Sequence, residues 1–404
     1  MERRAYPRVG ESVTHAQLGN GLHIYVDPKP GFQKSYAFFA TNYGGMDMKF
    51  RLDGQWKDTP AGVAHFLEHK MFDTEDGNAL QILAANGASP NAFTSSAMTG
   101  YYFESTEKFY ENLEVLLSFV SVPYFTQESV DKEQGIIGQE IRMVEDDPDN
   151  QVFYALMESL FDHHPIRVPI AGTQESISHI TADTLYDCYK AFYTPSNMVL
   201  TVAGDVEVER VFEIAERILP KQPGGHIQRD YGGVETGRAA APEKELRMEV
   251  STPIFQLGFK VDPAPEGEQR LYLQLLGELA CESLLGSSSP LYARLYKEGL
   301  INKNFGYGVE HYPGCALLVA GGESRDPAAV RGAVLEEAER IAGEGVDERL
   351  FDRLKKGSYG TKVRSLNSFE NLCIELAQGH FAGYEYLTFP QVFEKIERRH
   401  VEDY

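Results

Sequence analysis

The chain has 404 residues, 42% of them hydrophobic and 11% aromatic, which suffices for sizeable cores and excludes a disordered polymer. That length predicts two or three domains. A formal net charge of −22 excludes a nucleic-acid binder and a protein drawn to an anionic membrane surface.

Most of those carboxylates serve solubility; any that line a cavity favour basic or neutral substrates. Met1–Gly10 is polar and charged, without the apolar centre of a secretory signal. No apolar run approaches the roughly 20 residues of a membrane span. Cys188, Cys281, Cys315 and Cys373 are scattered, as free buried thiols in a reducing compartment are. The expectation is a soluble, cytoplasmic protein without nucleic-acid or membrane partners.

Gly19-Asn20-Gly21 predicts a turn between strands at 14–18 and 22–26. Ser35–Thr41 reads as a further strand. Pro60–Phe72 then reads as a helix, with Pro60 suited to its first turn. At about 100° per residue, His65 and His69 lie within about 40° of each other with Glu68 beside them, while Val63, Phe66 and Leu67 take the opposite arc. Two imidazoles at i and i+4 can grip one ion, and the carboxylate before the second reaches a water on it. That pairing gives a Lewis acid and a general base, the needs of a hydrolytic zinc site. The same spacing also describes two surface histidines on an amphipathic helix, so the reading requires a third ligand from elsewhere.

Residues 77–85 read as a short helix, 89–95 and 98–104 as strands, and 107–121 as a helix. Thr126 is expected to cap a helix that runs to about Glu145. Glu133 and Glu140, seven apart, project within about 20° of each other, and Ile136, Ile137 and Val144 share their arc. Carboxylates on a core-facing stripe are costly unless paired or bound to metal. Glu140 is therefore expected as the third ligand, and Glu133 as a catalytic neighbour that orients a ligand or sets its pKa. Residues 151–161 and 183–193 read as helices and 198–203 as a strand. His163-His164 read as loop histidines, either of which could face the site.

Residues 220–242, rich in Gly, Pro and charge, read as a linker. Beyond it, 254–261 reads as a strand, 268–285 as a helix, 315–320 as a strand, and 327–342 and 346–366 as helices. This order repeats that of the first half. Val130-Asp131-Lys132 overlays Phe351-Asp352-Arg353, and Leu354 and Thr361 then stand where Glu133 and Glu140 stood. No second His-x-x-Glu-His occurs. The reading is a duplicated α+β unit with chemistry in one copy.

With His65, Glu68, His69 and Glu140 in place, the chain resembles the insulinase/pitrilysin metallopeptidases, whose signature is His-x-x-Glu-His. It is most similar to their half-length branch, which includes the mitochondrial processing peptidases. Glu133 matches the family's upstream glutamate. Gly87-Ala88-Ser89-Pro90-Asn91-Ala92-Phe93-Thr94 looks like the family's edge strand, where Asn91, Ala92 and Phe93 would hold substrate backbone by strand addition. Tyr193–Met198 leading into Gly204-Asp205 is similar to a further landmark. The resemblance implies an Arg and, seven residues on, a Tyr that bind substrate. Here the Arg position holds Tyr296, and Arg294 and Tyr307 stand out of register. A homologous sister subunit supplying that pair is therefore expected, or else a homodimer. The resemblance also implies a closing strand beyond Tyr404.

The expected fold is two homologous α+β domains of the processing-peptidase type, each a mostly antiparallel mixed sheet packed by helices. Residues 1–219 form the metal-binding domain, 220–242 a linker, and 243–404 a copy lacking ligands. The expected activity is a zinc endopeptidase, with one Zn2+ per chain on His65, His69 and Glu140 and with Glu68 as base, cutting peptides inside a chamber of paired subunits. The alternatives are a non-catalytic assembly subunit of the same family and a metal-dependent amidase on a non-peptide substrate.

Overall fold

The computed structural model describes residues 1–404 and contains two compact units. The first comprises Met1–Met143, Val168–Gly232 and Ser365–Phe381; the second comprises Val144–Arg167, Gly233–Arg364 and Ala382–Tyr404. The expectation of one cut at 220–242 does not describe this partition, because two helices group with elements distant in sequence. Met157 and Leu160 of the Pro148–Leu160 helix pack with Cys315 and Leu317 of the second unit. The carbonyl of Cys373, on the Phe369–Ala382 helix, accepts from Thr201 Oγ1 of the first.

Along the first unit run β1 (Glu2–Tyr6), β2 (Glu11–Gln17), β3 (His23–Pro28), β4 (Ser35–Thr41) and a small hairpin, β5 (Lys49–Leu52) and β6 (Gln55–Asp58). Helix α1 (Val63–Met71), a two-residue pair β7 (Asp73–Thr74) and β8 (Gly77–Asn78), and α2 (Ala79–Ala85) follow. Next come β9 (Ala88–Thr94), β10 (Thr99–Ser105), α3 (Phe109–Ser121), α4 (Gln127–Asp146) and later β11 (Met198–Gly204). Seven strands form one sheet in the order β1-β2-β3-β11-β4-β10-β9. Its pairs are antiparallel except β11 with β3. β4 and β11 are buried along their whole length, as apolar side chains on both faces require of central strands. β9 lies at one edge. β1 and the β5–β6 hairpin, short and charged, carry too little alternation to be read from sequence.

The second unit holds a three-stranded antiparallel sheet, β12 (Ile254–Val261), β13 (Gly306–Tyr312) and β14 (Cys315–Glu323), ordered β12-β14-β13. The Glu268–Leu285 and Pro290–Lys297 helices connect β12 to β13, and the Pro327–Glu344 and Glu348–Ser365 helices follow β14.

Residues 220–242 are held to each unit by polar contacts. In the first, Arg229 pairs with Asp47 at 3.0 Å, while Arg51 N–H donates to Gln228 O and Asp230 N–H to Lys49 O. In the second, Glu235 accepts from the N–H groups of Asp162, His163 and His164 and from Lys260 Nζ. His164 is buried, with Nε2 2.9 Å from the Pro313 carbonyl and Nδ1 accepting from Ile166 N–H, so its role is structural. All four cysteines are free and buried.

Candidate metal centre

α1 starts at Gly62, whose φ of +94° suits glycine. A Cβ there would lie 2.5 Å from the Ala171 carbonyl, so the close approach of the 169–172 loop also requires glycine. Ser176 Oγ donates to the Ala61 carbonyl and fixes the same corner. From this start Val63, Phe66, Leu67 and Met71 point into the main core, while His65, Glu68 and His69 turn toward α4 and the end of β9.

α4 is anchored by its other side. Gln134 Nε2 donates to the Ile180 carbonyl, and the Gly138 carbonyl accepts from Gln174. Its buried arc is Val130, Ile137, Gly138 and Ile141. Ile136, expected on that arc, is 49% exposed. Glu133 and Glu140 thus flank the core stripe, with side chains 16% and 42% exposed, and face the histidines.

Glu140 Oε1 lies 3.5 Å from His65 Nε2, and its Oε2 lies 3.6 Å from His69 Nε2. The two imidazole rings meet edge to face with centroids 4.6 Å apart. One donor atom from each of the three residues falls within 4.8 Å of the others. Separations of 3.5–3.6 Å are long for hydrogen bonds. They match the roughly 3.4 Å between donors around a tetrahedral zinc with bonds of about 2.1 Å. Buried His65 Nδ1 has no hydrogen-bond partner, while Nε2 of the same ring faces the Glu140 carboxylate. His69 Nδ1 lies 3.1 Å from Glu133 Oε1, a contact that leaves Nε2 with its lone pair free when Nδ1 carries the proton. The residues therefore fit a zinc ion.

Glu68 is buried, and its Oε2 accepts from Thr94 Oγ1 at 2.7 Å. Burial pushes its carboxyl above the ordinary range, against the pull of Thr94 and the two histidines. Glu140 is held below its ordinary range by the adjacent His65, against its partial burial. Two neighbouring carboxylates are thus biased in opposite directions.

β9 pairs with β10 and presents its other edge unpaired within the sheet. Ala92 packs on the core, and Thr94 on the same face reaches Glu68. Asn91 and Phe93 point to the opposite face, where Phe93 stacks on Phe38 with centroids 5.7 Å apart and touches Tyr102. Asn91 Oδ1 accepts the Ala92 N–H. The structure thus brings Glu68, His65, His69, Glu133 and Glu140 together and sets Asn91, Ala92 and Phe93 along the adjoining edge strand. Sequence reading missed Thr94 and Lys70. Strand parity from Ala92 signals the first, and a lysine inside the metal helix signals the second.

The family model described as insulinase, peptidase family M16, matches residues 54–174, which contain all five of those residues, and the model described as peptidase M16 inactive domain matches residues 179–358. An uncharacterized zinc protease of Bacillus subtilis, YmfH, is 37% identical over 98% of this chain and 94% of its own length. The chain belongs to the M16, or insulinase, peptidase family. A crystal structure of an M16-like peptidase from Alicyclobacillus acidocaldarius superposes with a TM-score of 0.94 at 31% identity, covering 97% of this chain and 94% of that one. A mitochondrial-processing peptidase subunit beta of Arabidopsis thaliana is 30% identical over 169 residues, 41% of this chain and 32% of that protein.

The M16 inactive-domain match covers the stretch where the family resemblance implies an Arg and a Tyr. Tyr296 is exposed there and stacks on Tyr292. Arg294 faces Glu336 at 3.9 Å, and Tyr307 donates to Glu282. Each side chain is thus engaged with a neighbour in its own unit. No helix of this M16 chain is long and apolar enough to cross a membrane.

Proposed function

We propose that this M16 chain is a zinc-dependent endopeptidase whose ion is held by His65, His69 and Glu140. The observation that carries the reading is the convergence of two Nε2 atoms and one carboxylate beside a buried second carboxylate, Glu68. The ion would act as a Lewis acid toward the scissile carbonyl and the attacking water.

Glu68 takes the proton of that water and delivers it to the leaving amine. Its burial favours the protonated form it needs for the second step, and Thr94 holds it in place. Glu133 orients His69 through Nδ1. The unpaired edge of β9 at Asn91, Ala92 and Phe93 receives an extended peptide as an added strand, which sets the scissile bond near Glu68. Tyr296 at the Arg position, and the engaged side chains of Arg294 and Tyr307, favour a paired subunit that supplies the missing Arg and Tyr. The two chains then enclose the peptide.

Glu68→Gln tests the reading. Zinc content is expected to stay at one per chain while peptide cleavage falls about 10³-fold, within the range for loss of a general base. Unchanged turnover removes Glu68 from the mechanism.

A further inference from the structure

We propose that Lys70 is a positioning residue of the metal centre: its buried ammonium fixes the carboxylate of Glu133, and through it the imidazole of His69. This rests on the zinc reading given above. Lys70 follows His69 directly in α1, and its side chain is 1% exposed. A lysine is almost never fully buried unless it is paired. It has two partners, a bond to Asp73 and an ion pair with Glu133 Oε2 at 4.0 Å. The other oxygen of the same carboxylate, Oε1, lies 3.1 Å from His69 Nδ1.

The two partners differ in their need for the lysine. Asp73 is 37% exposed and can be served by water, whereas Glu133 is 16% exposed. Glu133 is one of three carboxylates, with Glu68 and Glu140, that act on the His69 imidazole. Lys70 offsets that crowding through Oε2, while Oε1 faces His69. With Oε2 drawn toward the ammonium, the carboxylate cannot rotate freely, and Oε1 stays on Nδ1. His69 then keeps one tautomer and one ring orientation, with Nε2 presented to the ion. Without the lysine, Glu133 would lose its cation and His69 its fixed support.

The test is zinc affinity, measured by competition with a chromophoric chelator on purified wild type, Lys70→Met, Glu133→Gln and the double variant. K70M is expected to bind zinc about tenfold more weakly or worse, in the range for loss of an outer partner of a ligating histidine. In the Glu133→Gln background the same change is expected to cost nothing further. Equal affinity of K70M and wild type, or the same loss in both backgrounds, overturns the proposal. Asp73→Asn carries the test where K70M does not fold. Freed of Asp73, the ammonium serves Glu133 alone, and zinc is expected to bind at least as tightly as in wild type; weaker binding overturns the proposal. A wild-type chain that binds no zinc defeats the zinc reading itself, an outcome distinct from all of these.

Discussion

In the first half of the chain, β4, α1, α2, β9 and β10 build a sheet segment ordered β4-β10-β9, and α3 and α4 follow. In the second half, β12, the Glu268–Leu285 and Pro290–Lys297 helices, β13 and β14 build β12-β14-β13, and two more helices follow. The frame recurs, but the groups between its helices differ. α1 meets α4 through two imidazoles and the carboxylates of Glu133 and Glu140. The Glu268–Leu285 helix meets the Glu348–Ser365 helix through Glu278 and Lys362, 3.0 Å apart, with Gln274 Nε2 also donating to Glu278. Lys362 is the neighbour of Thr361, the residue that overlays Glu140. A carboxylate between these helices needs a positive charge in either copy. The second copy supplies a lysine; the first brings two imidazoles, which on the proposed reading hold a cation. On the proposed reading, chemistry on this frame is a matter of a few side chains.

The harshest way to break that comparison is to write the second copy's solution into the first. Glu140→Lys is expected to abolish zinc binding and to lower cleavage at least 10³-fold, while the melting temperature moves by only a few degrees. Loss of the fold would show that the ion, and not the frame, organises the first unit. Thr94→Val sharpens the account on a smaller scale. It removes the bond that holds Glu68, and turnover is expected to fall about tenfold with zinc content unchanged. Identical turnover would leave Thr94 without a role.

Two changes in the second unit are expected to touch stability alone. Lys362→Met should lower unfolding free energy by about 1–2 kcal/mol in denaturant titrations, the range for a part-buried charged hydrogen bond, and leave zinc affinity as it was. A change in zinc affinity would mean the copies are not independent. Glu235 gives an effect that depends on pH. Burial pushes its carboxyl up, but the Lys260 ammonium and the N–H groups of His163, His164 and Asp162 outweigh this and hold it down to about 2. A group depressed on folding stabilises fully above its unfolded value, near about 4.3, and that contribution fades as pH falls toward 2. Glu235→Gln should therefore lower thermal stability at neutral pH and flatten its dependence between about pH 4 and about pH 2. An unaltered acid limb would contradict this role of Glu235.

Helix α1 is legible because its signal is local: i, i+3 and i+4 positions on one turn, with apolar residues opposite. Glu140 was legible from a heptad step in another helix, although the helical wheel located its arc only roughly. Periodicity assigns Ile136 to the core, yet it lies at the surface, since periodicity gives directions around an axis and the partners of α4 decide which direction is inward. β13 was missed because Gly306-Tyr307-Gly308 and Glu310 weaken any alternation. The interleaving of the two units was beyond local reading. The Phe369–Ala382 helix is the last large piece of the first unit, and only long-range contacts such as that between Cys373 and Thr201 assign it there. Lys70 is not legible because a lysine on an amphipathic helix ordinarily points to solvent, and its burial is explained by Glu133 and Asp73.

The centre is tested most directly by metal stoichiometry on purified protein, wild type beside Glu140→Ala, by mass spectrometry under non-denaturing conditions. The expected result is one zinc per chain in the wild type and none in the variant. A wild type holding less than about half an equivalent, or a variant that keeps its zinc, would contradict a single ion held jointly by His65, His69 and Glu140.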